Sequence, residues 1–299
     1  MPEKTPPRRS VFTAKSMGFC NGVRRALDFV RRLQEDNPGG QRIYIYNEIV
    51  HNNFIVNELK QNGVVFVHSL DGVPENSVVI WSAHGVPPQL EAEAQLRKLK
   101  VVDATCPLVK HLHELASRHS QAGSAVIFIG HKQHPETVGV LGCGNIYCVS
   151  NAEDCAALPE FEPDRKVVVL TQTTWCTEDV AGVISALRQR YPELEFASGI
   201  CYATSERQQA VRELISRNQI ELLLVIGSPR SSNSNRLCEV AAQAQIPARL
   251  IDDPAELLTL DLSAFNRIGL TAGASAPEIL IERSLTILEK NHHCDIYKG

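Results

Sequence analysis

The 299-residue chain has no long hydrophobic run, no Cys-x-x-Cys pair and few aromatic residues, 6% of the total. The longest apolar stretches, such as Ala125 to Ile129 and Leu222 to Ile226, are strand-sized and too short to cross a bilayer. The start, MPEKTPPRRS, carries two arginines with no apolar segment behind them. It reads as a flexible tail over 1–10 rather than a secretion signal, and the cytoplasm is the expected location. Without Cys-x-x-Cys, a zinc ribbon or a thioredoxin-type site lacks its usual spacing. Nine cysteines, an odd number in a chain this long, do not make a disulfide framework either. There is no excess of positive charge: 30 Lys and Arg face 34 Asp and Glu, a net charge of −4. Neither nucleic acid nor a membrane surface is therefore expected as a partner. A glycine-rich dinucleotide fingerprint with an acidic residue downstream is also missing, so direct binding of a nicotinamide nucleotide is not expected.

What is present is an alternation of short β-branched runs and longer amphipathic stretches. Strands are expected at Ile43–Tyr46, Val78–Trp81, Val126–Ile129, Val167–Leu170, Leu222–Ile226 and Arg267–Leu270. The stretches between them repeat apolar residues at helical spacing, as Val211, Leu214 and Ile215 do. This pattern predicts parallel α/β units. Each strand then breaks into a polar segment: NEIVHN, SAHGV, GHKQHPE, TQTTW, GSPRSSNSN and TAGASAP. Ligands of parallel α/β sheets bind beyond the carboxyl ends of strands, where such segments lie.

Three cysteines fall into a repeat. GFCNGV, DATCP and GICYAT each place a cysteine directly before an amphipathic stretch, at Cys20, Cys106 and Cys201. After Cys20 the apolar positions are Val23, Ala26, Leu27 and Val30; after Cys106 they are Leu108, Leu112, Leu115 and Ala116. Pro107 suits a first helical position, and a cysteine at a helix start has its thiolate favoured by the dipole. The spacings, roughly 86 and 95 residues, suggest three similar units. The expected division is α/β domains over 22–104, 105–199 and 200–290, the last completed by 11–21, with a tail over 291–299. Cys143, Cys148, Cys155, Cys176, Cys238 and Cys294 read as small buried hydrophobes. His68, His111, His113, His119, His292 and His293 read as surface or satisfied core residues. On these features alone three readings remain open. They are a redox centre, a zinc hydrolase with Glu136 as general base, and a phosphate-metabolite sensor whose metal is structural.

The motifs resemble those of the 4-hydroxy-3-methylbut-2-enyl diphosphate reductase family, LytB. The resemblance runs from about Val11 to Glu289 and rests on nine segments in order. They are GFCNGV, EIVHN, SAHGV, DATCPLV, HPE, TQTT, ICYAT, SSNSNRL and TAGASAP. It implies three α/β domains with mostly parallel sheets in a trefoil-like arrangement around a 4Fe–4S cluster. Cys20, Cys106 and Cys201 would hold three irons and leave the fourth open. His51, His84, His134, Ser231, Ser232, Asn233 and Ser275 would hold a diphosphate, with His134 favoured over His131 in GHKQHPE. Thr173 would contact the hydroxyl end of the substrate and Glu136 would supply protons. Electrons would come from a partner such as ferredoxin or flavodoxin. The chemistry fits these residue types. Loss of an allylic hydroxyl needs protonation or a Lewis acid, and three-thiolate ligation leaves an iron open where four would close it. Burial is expected to raise Glu136 towards neutrality, and charged histidines are expected beside the phosphates.

Overall fold

The computed structural model describes residues 8–36, 40–197 and 199–299. The first part of the chain runs β1 (Ser10–Thr13), α1 (Asn21–Glu35), β2 (Ile43–Tyr46), α2 (Asn53–Gln61) and β3 (Val65–Val67). It continues through β4 (Val78–Trp81), α3 (Pro88–Leu96), β5 (Lys100–Asp103) and α4 (Pro107–Gln121). The middle holds β6 (Ala125–Ile129), α5 (Pro135–Leu141), β7 (Ile146–Val149), β8 (Val167–Thr171), α6 (Thr177–Arg190) and β9 (Glu195–Phe196). The last part holds α7 (Tyr202–Asn218), β10 (Leu222–Ile226), α8 (Ser232–Gln243) and β11 (Ala248–Ile251). It ends with β12 (Arg267–Ala272), α9 (Glu278–Lys290) and β13 (Asp295–Tyr297).

Three sheets form, ordered β3-β2-β4-β5, β7-β6-β8-β9 and β11-β10-β12-β1-β13, and every strand pairing in them is parallel. The α/β class expected from the alternation is the one observed. All three sheets share one order, in which the second strand lies outside the first and the third and fourth lie on its other side. In the third sheet the fourth place is taken by β1, from the start of the chain. The order reverses between the first and third strands of each sheet, the switch point where parallel α/β folds bind ligands.

The central strands AVIFI, VVVLT and LLLVI are buried at every position, as expected of strands covered on both faces. Side chains from β6 and β8 fill two apolar clusters. One holds Ile127, Val169 and Leu187, the other Leu112, Phe128 and Leu170. The strands β10, β12 and β1 likewise separate a cluster under α9 from one under α7 and α8. Each fully buried Val, Leu or Ile contributes about 1.5–3 kcal/mol. Helix α1 buries Val23, Ala26, Leu27 and Val30, the stripe its spacing predicts. Helix α4 buries Val109, Leu112 and Ala116, so Val109 rather than Leu108 faces the core.

The ends of the chain differ from expectation. Residues 1–7 of the expected amino-terminal tail lie outside the described residues, and Ser10 already pairs with Arg267 in β1. The expected carboxyl tail carries β13, which pairs with β1 through Asp295, Ile296 and Tyr297. Phe12 stacks on Tyr297 at 5.0 Å between ring centroids, so the short strand is held by an aromatic contact as well as by its ladder.

By contact density the chain forms two compact units. One gathers the described residues up to Cys20 with His51–Ile55 and Tyr202–Gly299; the other gathers Asn21–Val50 and Val56–Cys201. Among the described residues no helix is long and apolar enough to cross a membrane.

Candidate active site and cofactor centre

Each of the three cysteines follows the fourth strand of a sheet and precedes a helix: β1, Cys20, α1; β5, Cys106, α4; β9, Cys201, α7. Their backbones are anchored alike. Cys20 N–H donates to the Ala274 carbonyl at 3.1 Å, Cys106 N–H to that of Ala83 at 3.0 Å, and Cys201 N–H to that of Thr173 at 3.1 Å. All three acceptors lie just after the third strand of the same sheet. The sequence repeat thus has a structural counterpart: each thiol is tied to the loop that opens at its sheet's switch point.

In the unit containing β10 and β12, one peptide links a cysteine to a polar donor. Ala274 accepts from Cys20 through its carbonyl and donates its N–H to Asn233 Oδ1 at 2.8 Å. That contact fixes the Asn233 amide, and its Nδ2 is buried with no partner among the described residues. Ser231 caps α8, its hydroxyl accepting from Ser234 N–H at 3.3 Å. Ser275 Oγ donates to the His51 carbonyl at 3.0 Å and lies 3.4 Å from Ser231 Oγ. His51, Ser231, Asn233 and Ser275 are therefore gathered around the start of α8, joined by Ser232, its first residue. Backbone N–H groups at a helix start favour anions. Burial pushes His51 down to about 4, so its ring is neutral at pH 7.

The second unit carries a connected path. Cys201 donates to the Thr173 carbonyl. Thr173 N–H and Oγ–H then donate to Glu136 Oε1 and Oε2, both at 2.7 Å. Glu136 N–H donates to His134 Nδ1 at 3.2 Å, which makes His134 the cap of α5. An accepting Nδ1 carries no proton, so the ring presents its N–H at Nε2. The His134 ring stands edge-on to His84, with centroids 5.6 Å apart, and His84 follows Ala83, the acceptor for Cys106. Glu136 is 2% exposed. Burial lifts its carboxyl and the two Thr173 hydrogen bonds pull it back, leaving it at about 7. The His131 ring is tilted against Trp175 at 5.4 Å, and its carbonyl accepts from His134 N–H at 2.9 Å.

Residues 11–289 match the family model described as LytB protein. The chain belongs to the LytB family. A 4-hydroxy-3-methylbut-2-enyl diphosphate reductase of Xanthomonas euvesicatoria is 45% identical to it over 293 residues, covering 95% of this chain and 90% of the relative. The same-named protein of Histophilus somni is 45% identical over 287 residues, 94% of this chain and 90% of the relative. Among solved structures, the E-1-hydroxy-2-methyl-but-2-enyl-4-diphosphate reductase of Plasmodium falciparum superposes with a TM-score of 0.91 at 31% identity. It covers 98% of this chain and 93% of its own. A second solved structure is described as (E)-4-hydroxy-3-methyl-but-2-enyl diphosphate reductase, the terminal enzyme of the non-mevalonate pathway. It matches with a TM-score of 0.67 at 30% identity, covering 94% of this chain and 99% of its own.

The donor chemistry of this LytB chain fits an iron–sulfur group. Cys20, Cys106 and Cys201 form no disulfide and are partly exposed at helix starts, and soft thiolates select iron–sulfur clusters. Burial pushes Cys143, Cys148 and Cys238 up to about 11 and raises Cys155 and Cys294, so these stay as neutral thiols.

Two supports were not legible in the sequence. Arg207, on α7 and 5% exposed, donates from Nε and Nη2 to the Gly18 carbonyl at 3.1 and 2.7 Å. Its Nη1 bonds the Ala203 carbonyl at 2.8 Å. It thereby holds the turn two residues before Cys20, where Gly18 takes a φ of +77°. Gly199, two residues before Cys201, is required by close approach, because a Cβ there would lie 2.2 Å from the Thr171 carbonyl oxygen. Gly199→Ala is expected to destabilise the fold by about 2 kcal/mol through that backbone clash. Urea denaturation checks this, and an unchanged midpoint would contradict it.

Proposed function

We propose that this chain removes the allylic hydroxyl of (E)-4-hydroxy-3-methylbut-2-enyl diphosphate with two electrons and two protons. The products are isopentenyl and dimethylallyl diphosphate, the last step of the non-mevalonate route to isoprenoids. The observation that carries the reading is the path from Cys201 through Thr173, Glu136, His134 and His84 to the anchor of Cys106. It links a proton donor to the backbones of two of the cysteines. Cys20, Cys106 and Cys201 would hold a 4Fe–4S cluster with one iron free of protein ligands, and that group would supply electrons and a Lewis-acidic iron.

The chain's own residues do the rest. Glu136, at about 7, exists in both protonation states at neutral pH and delivers protons to the departing hydroxyl and the allylic carbon. Thr173 holds both carboxylate oxygens, contacts the hydroxyl end of the substrate and sets the direction of transfer. His51, Ser231, Ser232, Asn233 and Ser275 hold the diphosphate through neutral donors and the start of α8, with the Asn233 Nδ2 donor already oriented. His84 and His134 add ring N–H donors. Because His51 is neutral in the free chain, any charge it gains beside the diphosphate appears as proton uptake on binding. Ferredoxin or flavodoxin brings the reducing equivalents, and the reaction runs in the cytoplasm.

The test is anaerobic purification with iron and sulfide analysis, followed by single-turnover reduction of the hydroxylated diphosphate. The expected result is a coloured protein that converts the substrate only when reduced. A folded, colourless, iron-free protein would overturn the reading.

A further inference from the structure

His113 lies on α4 seven residues after Cys106, about two turns along the same face. It reads in the sequence as a surface or satisfied core residue, and the structure corrects this. Its ring is wedged between two glycines that belong to different site segments. A Cβ on Gly85, beside His84, would lie 3.0 Å from His113 Cε1. A Cβ on Gly139, in the helix that starts with Pro135 and Glu136, would lie 2.9 Å from both Cε1 and Nε2. The ring touches both segments because neither glycine has a side chain. His113 Nε2 is buried with no partner among the described residues. Burial lowers its basicity, and Asp103 offsets this only in part. The ring therefore contributes shape rather than hydrogen bonds at that edge.

We propose that His113 is a positioning residue, a spacer that sets the separation between the His84 loop and the helix start bearing His134 and Glu136. The inference rests on the diphosphate reading given above. Close packing transmits such a contact, because the same Cε1–Nε2 edge of the ring lies against both glycines. Gly85 cannot yield easily, since its φ of +74° is already that of a tight turn and Thr105 Cγ2 closes its other side at 3.2 Å from the Cβ position. Gln89 Nε2 braces the same junction by donating to the Gly142 carbonyl at 3.1 Å. On its outer side the ring borders an open cleft of about 500 Å³ lined by Asp103, Lys110 and Cys143. A displaced spacer thus moves the histidine and carboxyl groups while the core stays filled.

The test uses the cluster-loaded protein, with inorganic pyrophosphate as the binding probe and single-turnover reduction as a second readout. Gly139 sits in a helix without a positive φ, so Gly139→Ala adds one methyl against the ring and little else. Gly139→Ala and His113→Ala are each expected to weaken pyrophosphate binding about tenfold, with iron content unchanged. In the double variant the added methyl occupies space the ring has left, so binding should return to within about threefold of the parent. A spacer with only a structural role would lower unfolding midpoints and leave the dissociation constant alone. Parent-like binding by folded Gly139→Ala, or a double variant about a hundredfold weaker, would overturn the inference. Should Gly139→Ala not fold, His113→Asn carries the test: it shortens the spacer and is expected to weaken binding about fivefold, and parent-like binding would overturn the inference. A parent protein that binds no pyrophosphate would overturn the diphosphate reading itself, and this inference with it.

Discussion

Replacing Glu136 by glutamine should lower turnover by about two to four orders of magnitude while leaving the protein folded and coloured. Glutamine keeps the shape and can still accept from Thr173 N–H, but it has no proton to give. The same variant should gain stability at alkaline pH, with a sign fixed by linkage. Burial raises the carboxyl from its ordinary 4.5 to about 7. Between those values the folded state binds more protons than the unfolded chain, so stability falls as pH rises through that range. Above about 7 the full cost of the buried charge is present, of the order of 3 kcal/mol. Glutamine never carries that charge. Urea unfolding should therefore show Glu136→Gln more stable than the parent at pH 8 and nearly equal to it at pH 4. Near-normal single turnover would remove Glu136 from the proton path. A stability difference unchanged between the two pH values would contradict the raised carboxyl.

Cys106→Ser should cost the protein most of its bound iron and more than about a hundredfold of its turnover. Serine replaces a soft thiolate with a hard hydroxyl that stays protonated at neutral pH, and iron–sulfur irons select the former. The Cys106 side chain makes no capping hydrogen bond to α4. Serine is a preferred cap at such a position, so unfolding midpoints measured without the cluster should hold or rise by a few tenths of a kcal/mol. Cys143→Ser and Cys238→Ser serve as controls. Their thiols are pushed up to about 11 and are not ligands in this reading, so iron content should match the parent. Iron analysis of the three variants side by side separates ligand from bystander. Full iron in Cys106→Ser would remove it from the ligand set.

The central strands were legible because each is a β-branched run long enough to show its burial pattern, as in Val167–Thr171 and Leu222–Ile226. The edge strands were not. Lys100–Asp103 and Ala248–Ile251 are four residues each, with a charge inside the run, and their pairing comes from the neighbouring strand rather than from periodicity. The candidate site was legible as a set of loops, since six polar segments follow six strands. How its members connect was not. Nothing in HPE shows that Glu136 N–H folds back onto His134, nor that Thr173 two strands away closes on the carboxyl. His113 and Arg207 escaped for one reason: each acts on a loop distant in sequence, at Gly85, Gly139 or Gly18. A side chain that works through tertiary contact carries no local pattern.

The place of β1 bears on how the protein folds. The strand lies between β12 and β13, so a segment near residue 10 completes a sheet whose other members lie beyond residue 220. The Ala274 carbonyl that anchors the Cys20 N–H lies 254 residues further along the chain. Contacts of such long sequence separation form late in folding. The Cys20 backbone therefore reaches its anchor only once two segments far apart in sequence have met in one sheet.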